Sequence, residues 1–151
     1  MGEPEPKCKG CTLEDFDQRW KILIRNKDFQ VNYALNPEVD GHLVIQPRRH
    51  VEGISKLCPQ EAKDLGLLIR NFCHALQEAL NPDKIYVYSF NETPGYHLHF
   101  HLKPKSSNVP KDKKGAEFVK WSDEKLKWDQ ASIEKIMGQI KTAYDRISKS
   151  R

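Results

Sequence analysis

The chain has 151 residues, 38% of them hydrophobic and 30% charged, with a formal net charge of +4. That is enough for one domain with its own core and too apolar for a disordered segment. Four cysteines are too few for a disulfide scaffold, and no apolar run reaches the ~18 residues of a membrane span.

In chain order, the first six residues, Met-Gly-Glu-Pro-Glu-Pro, hold no apolar signal core, so a cytoplasmic protein with reduced thiols is expected. Residues 12–19 read as a short helix opened by Thr12, with Asp15 in the reciprocal capping place. Residues 20–24 and 29–35 read as strands joined by the polar turn Asn26-Lys27-Asp28. A loop over 36–41 leads into a strand over 42–45, ended by Pro47. The spacing of Leu65, Leu68, Ile69, Phe72, Leu76 and Leu80 predicts a helix over about 60–80 with one apolar stripe; His74 falls on its solvated face. Residues 85–90 and 96–102 alternate as strands. A second amphipathic helix carries Ile133, Ile136, Met137, Ile140, Tyr144 and Ile147. Strands gathered around one central helix predict an α+β fold with an antiparallel sheet.

The net charge is local. Residues 103–127 hold eight lysines against four acids, and the rest of the chain is neutral. This is a solvated basic loop on a neutral domain, which argues against a general nucleic-acid binder.

Three of the six histidines fall in five residues, His97-Leu98-His99-Phe100-His101. On a strand, alternate side chains share a face, so these imidazoles stand roughly 6–7 Å apart while Leu98, Phe100 and Leu102 point into a core. Imidazoles near neutrality serve as nucleophile, proton donor or metal ligand, and crowding three of them keeps at least one neutral. The histidines alone leave a catalytic site and a zinc or iron site both open. Cys8-Lys9-Gly10-Cys11 is a CxxC knuckle, which needs two further ligands to hold zinc and by itself equally suits a redox or idle pair. Cys58 is an alternative ligand or a partly buried thiol at a helix entrance; Cys73 reads as packing.

The run His97-Leu98-His99-Phe100-His101-Leu102-Lys103-Pro104 resembles the signature of the histidine-triad (HIT) family. Upstream, the stretch from Asn36 to Val51 resembles that family's other hallmark: Gly41-His42, an apolar strand, Pro47, two arginines and His50-Val51. The two motifs stand in the right order within about residues 8–104. The resemblance implies one HIT-like domain over 1–151, an antiparallel sheet of about five strands with a central helix, extended by a basic loop and a C-terminal helix. It implies hydrolysis or transfer at a nucleoside phosphoanhydride through a covalent nucleotidyl-histidine on His99. His97 and His101 would flank the nucleophile, His42 would be a fourth active-site histidine, and no magnesium would be required. It further implies a small nucleotide substrate, a homodimer, and structural zinc held by Cys8, Cys11, His50 and His97.

The sequence also departs from common members of that family. Ala34 stands where they carry the Asp that binds ribose hydroxyls, which leaves Asn36 as the nearby substitute. Only five residues separate Asn91 from His97, and no Gln-Ser/Thr phosphate loop precedes the triad. The short approach is similar to the aprataxin and scavenger-decapping branches, with Asn91 and the backbone N–H groups of Gly95 and Tyr96 as candidate substrate contacts. Two alternative functions follow: a zinc-stabilised nucleotide-binding module without turnover, or an enzyme on nucleotide-capped nucleic acid assisted by the 103–127 lysines. Trp121 and Trp128 are read as cover for the sheet or a dimer face.

Overall fold

A computed structural model describes residues 8, 10, 11, 17–90, 92, 96–126 and 128–150. Five strands form one antiparallel sheet: β1 (Ile22–Arg25), β2 (Phe29–Tyr33), β3 (Leu43–Pro47), β4 (Lys84–Tyr88) and β5 (Phe100–Lys105), in the order β1-β2-β3-β5-β4. Among the described residues three α-helices accompany it: α1 (Pro59–Leu80), α2 (Ala116–Lys120) and α3 (Gln130–Lys149). The α+β architecture expected from the sequence is the one observed.

The β1–β2 hairpin closes on Asn26, whose Oδ1 accepts from the N–H groups of Asp28 (3.0 Å) and Phe29 (2.8 Å). That side-chain bond mimics a backbone turn. The first strand starts later than the sequence suggested because Arg19–Lys21 forms a 3-10 turn, with Lys21 N–H on Gln18 O at 2.9 Å. Of the helix predicted over 12–19, residues 12–16 lie outside the described residues, and 17–18 are a turn.

Helix α1 begins at a reciprocal cap. Cys58 Sγ accepts from Glu61 N–H, Glu61 Oε2 accepts from Cys58 N–H at 2.8 Å, and Pro59 occupies the first turn, where no donor is missed. Arg49 grips the same Glu61 carboxylate with two 2.8 Å bonds, and this holds the carboxyl down at about 2. Cys58 is therefore a helix cap and is exposed, whereas the sequence suggested a partly buried thiol or a metal ligand. Asn81, at φ 48°, ends the helix in the left-handed region, with its N–H on Gln77 O.

The core lies between one sheet face and α1. Phe29, Val31, Tyr33, Leu43, Ile45 and Leu102 meet Leu65, Leu68, Phe72, Ala75 and Leu76, all buried. Helix α3 adds Ile133, Ile140, Ala143 and Ile147, stacks Tyr144 on Phe72 (centroids 4.1 Å apart) and pairs Arg146 with Glu78. The fully buried aromatic and aliphatic set makes this the main source of stability. Trp128 packs against this core, and Trp121 against a smaller cluster of Val39, Val109 and Phe118. Helix α2 lies inside the stretch read as solvated loop; five residues are too few for a helical period to show, but Phe118 is completely buried.

Candidate active site and metal centre

The segment entering β5 differs from a continuous strand over 96–102. Regular pairing starts at Phe100, opposite Ile45. Before it, residues 97–99 run beside the end of β3 and the loop after it, with Leu98 N–H on Val51 O at 2.8 Å. The ladder stops there for a local reason: Pro47 has no N–H, and its carbonyl accepts from the His97 ring (2.7 Å to Nε2).

That bond fixes the His97 tautomer. With the proton on Nε2, Nδ1 keeps its lone pair and faces Cys8 Sγ at 3.5 Å and Cys11 Sγ at 3.3 Å. His50 Nδ1 lies 3.4 Å from Cys11 Sγ, and His50 Nε2 is buried with no hydrogen-bond partner, 3.6 Å from Glu52 Oε1. The four ligand atoms of Cys8, Cys11, His50 and His97 all lie within 4.8 Å of one another. A tetrahedral zinc at ~2.3 Å from sulfur and ~2.0–2.1 Å from nitrogen places S and N about 3.6 Å apart, which the observed spacings match. Gly10 is needed for this approach: a Cβ there would stand 2.5 Å from His97 Cγ. The knuckle is tied to the sheet by Gln46 Nε2, which donates to Gly10 O at 2.6 Å. Both nitrogens of His97 are thus engaged on the cysteine side of the strand.

His99 and His101 form the other half of the site, with ring centroids 4.9 Å apart and near-perpendicular planes. His99 Nδ1 donates to His97 O at 3.0 Å, which in the neutral ring puts the lone pair on Nε2. Its carbonyl accepts from Ser89 Oγ at 2.6 Å, and the Tyr96 ring lies against its imidazole at 5.1 Å. His42 Nε2 lies 2.9 Å from His101 Nδ1. Glu38 N–H donates to His42 Nδ1 at 3.3 Å, so His42 carries its proton on Nε2 and donates it to His101. His101 then carries its own proton on Nε2, and Tyr88 stacks on its ring at 4.9 Å and 15°.

Burial governs the charge of this pair. His42 is 2% exposed, and desolvation, reinforced by His101 and Lys103, pushes its pKa down to about 3. His101 is lowered to about 4 by burial, then by His99 and Lys103. His97 is also lowered, chiefly by burial, with the Pro47 carbonyl opposing. Both members of the His42–His101 pair are neutral near pH 7, as a directed chain of N–H donors requires.

His42, His99 and His101 lie together, and His97 with His50, Cys8 and Cys11 forms an adjoining cluster. Tyr96 lies at His99. Asn36 is exposed and lines a separate cleft of about 690 Å³ with Trp20, Leu35 and Trp128; no contact with the triad is seen. Asn91 and Gly95 lie outside the described residues. Sequence reasoning missed Ser89, Tyr88, Glu38 and Lys103. Only Lys103 had a signal: it continues the two-residue alternation of the histidines.

The family model for the HIT domain matches residues 16–108. A zinc-bound histidine triad family protein from Mycobacterium smegmatis is similar in fold, with TM-score 0.72 and 14% identity over 96% of this chain and 98% of that one. A uridylyltransferase gives TM-score 0.68 and 18% identity over 92% of this chain but 45% of its own. Plasmodium falciparum diadenosine triphosphate hydrolase gives TM-score 0.59 and 17% identity over 89% and 80%. A comparison of the sequence with curated proteins finds no match. Among the described residues no helix is long and apolar enough to cross a membrane.

Proposed function

Because this chain belongs to the HIT domain family, we propose that it cleaves a nucleoside phosphoanhydride through a covalent nucleotidyl-histidine on His99. The observation that carries this reading is the His99 Nδ1 bond to His97 O, which directs the free lone pair to Nε2. In the first step that lone pair forms an N–P bond to the α-phosphorus while the anhydride P–O bond breaks. The departing phosphate leaves as an anion, its oxygen accepting a hydrogen bond from the N–H that neutral His101 keeps on Nε2. In the second step the water oxygen bonds to phosphorus and its proton passes to solvent, while the P–N bond breaks to return its electron pair to His99 Nε2 and release a nucleoside monophosphate. If a phosphate or hydroxyl acceptor replaces water, the same two steps give nucleotidyl transfer. Splitting one displacement into two lowers each barrier, and pre-oriented N–H donors meet the charge on the phosphoryl oxygens.

Zinc fits Cys8, Cys11, His50 and His97 by spacing and by the tautomer of His97, whose Nδ1 lone pair faces both sulfurs. Bound there, it supplies a structural cross-link, and its contribution to the chemistry is to hold the strand whose carbonyl orients His99. His97 is in this reading a positioning group.

The test is incubation with α-phosphate-labelled adenylyl, guanylyl and uridylyl anhydrides, followed by denaturing gels in acid and in base. The label is expected on the protein, lost in acid and retained in base, and absent from His99→Asn. Tight nucleotide binding with neither label nor turnover across the panel favours the non-catalytic binding module instead. Preference for nucleotide-capped oligonucleotides, with activity falling steeply with salt, favours the nucleic-acid alternative.

A further inference from the structure

Lys103 has no part in the chemistry above, yet its side chain is completely buried. Its ammonium lies 2.6 Å from Trp121 O, 2.9 Å from Phe118 O, 3.1 Å from Val119 O and 3.3 Å from Glu38 Oε1. The three carbonyls come from the end of α2, where Phe118 O also accepts the capping N–H of Trp121 at 3.1 Å. The carboxylate leads to the site.

Glu38 is held at four points. Its N–H donates to His42 Nδ1, its carbonyl accepts from Asp123 N–H at 2.8 Å, Oε2 accepts from Ser122 Oγ at 3.1 Å, and Oε1 takes Lys103. The loop between β2 and β3 has a further fixed point at Gly41, at φ 79°, whose N–H donates to Tyr33 OH at 2.7 Å. A buried ammonium needs a partner, and the breaking of such a pair is felt by whatever its partner holds.

We propose that Lys103 is a positioning residue for the His42–His101 pair: by fixing Glu38 it keeps His42 Nδ1 an acceptor. This sets the proton of His101 on Nε2, toward the reacting phosphate. The segment 116–123 thereby acts on the site from the same face of the sheet. The kinetic part of the test rests on the function proposed above; the structural part does not.

The charged and titratable groups facing the pair are Glu38, Lys103, His99 and Tyr88. Glu38 Oε1 is 4.0 Å from His42 Nδ1. With Lys103 present its charge is offset. Without Lys103 the carboxylate draws a proton onto Nδ1, and the acceptor is lost.

Imidazole 15N–1H correlation spectra of Lys103→Met, recorded without substrate across pH 5–8, test this. In the wild type, His42 and His101 show neutral rings protonated on Nε2 throughout. In Lys103→Met, His42 becomes doubly protonated at the acid end of that range, with a midpoint at pH 5 or above. Adding Glu38→Gln in the same chain restores the neutral tautomer. Ser122→Ala changes an exposed hydroxyl and is expected to fold whatever happens to Lys103→Met; it moves the His42 signal in the same direction by a smaller amount. On a cleaved substrate, Lys103→Met lowers kcat at least tenfold at pH 7 with KM unchanged, and the double variant recovers it.

A purely structural role would loosen α2 and alter Trp121 fluorescence while leaving the ring signals in place. A folded Lys103→Met with wild-type His42 and His101 signals overturns the proposal. Where that variant does not fold, unmoved signals in Ser122→Ala overturn it. The expected ring shifts in a protein without turnover support the positioning role and count against the proposed reaction alone.

Discussion

Acidification should destabilise the protein through His42 by an amount that its burial sets. The unfolded chain titrates this histidine near ~6.5, whereas in the fold its pKa is about 3. Between those values the unfolded state binds a proton that the folded state refuses, so stability falls as pH falls. At pH 5 the difference amounts to 1.5 pH units, or about 2 kcal/mol for this one group. Above pH 6.5 the contribution is flat. Urea unfolding of the wild type and His42→Gln at pH 7.5, 6.5, 5.75 and 5.0, under one metal condition, isolates it. The gap between the two stability curves should change by about 2 kcal/mol from pH 7.5 to 5.0, with the wild type losing more. Parallel curves would refute the reasoning, for they would mean that His42 accepts its proton inside the fold.

Four further outcomes follow from the same geometry. Cys11→Ser should reduce bound zinc below one equivalent, measured by elemental analysis after dialysis, and should lower the melting temperature; a full equivalent in that variant contradicts the four-ligand centre. His99→Asn should lose labelling and turnover at least a thousandfold while keeping zinc and its circular dichroism, since it removes the nucleophile and no core contact. Phe72→Ala, which empties a fully buried position beneath Tyr144, should cost about 3–5 kcal/mol in urea unfolding. Glu61→Ala removes both the α1 cap and the Arg49 grip and should cost about 2 kcal/mol by the same measurement.

Much of this molecule is legible from its sequence because the two periodicities that matter are undisturbed. The stripe Leu65, Leu68, Phe72, Leu76 has helical spacing and nothing to override it, and α1 spans 59–80. The alternation about His99 likewise fixes which side chains enter the core: Leu98 and Leu102 are both buried. Boundaries are less legible where a side chain intervenes in the ladder. The late start of β5 depends on the His97 ring taking the Pro47 carbonyl, a contact across fifty residues that no local pattern encodes. Cys58 reads from the sequence as a spare ligand or a partly buried thiol, yet the Glu three residues later is the signal that marks it as a cap. The basic tract misled for a similar reason. Charge counted along the chain cannot show that one of its lysines, Lys103, is covered by Phe118 and three carbonyls from a helix too short to leave a periodic trace.

The metal centre changes the chain as a polymer. Cys11 meets His50 across 39 residues and His97 across 86, so a bound ion would join three distant points of the backbone at one node. Closing a loop of the larger size removes conformational entropy from the unfolded chain worth about 4–5 kcal/mol, and the smaller loop, nested within it, adds less than its separate value. All of β1 through β4 and α1 falls within those loops, while α3 lies beyond the last ligand and hangs from the node as an open tail. A chelator would therefore expand the unfolded ensemble of the sheet and its central helix. The hold on α3 would still rest on Ile133, Ile140, Ala143 and Ile147, with Tyr144 stacked on Phe72 and Arg146 paired with Glu78.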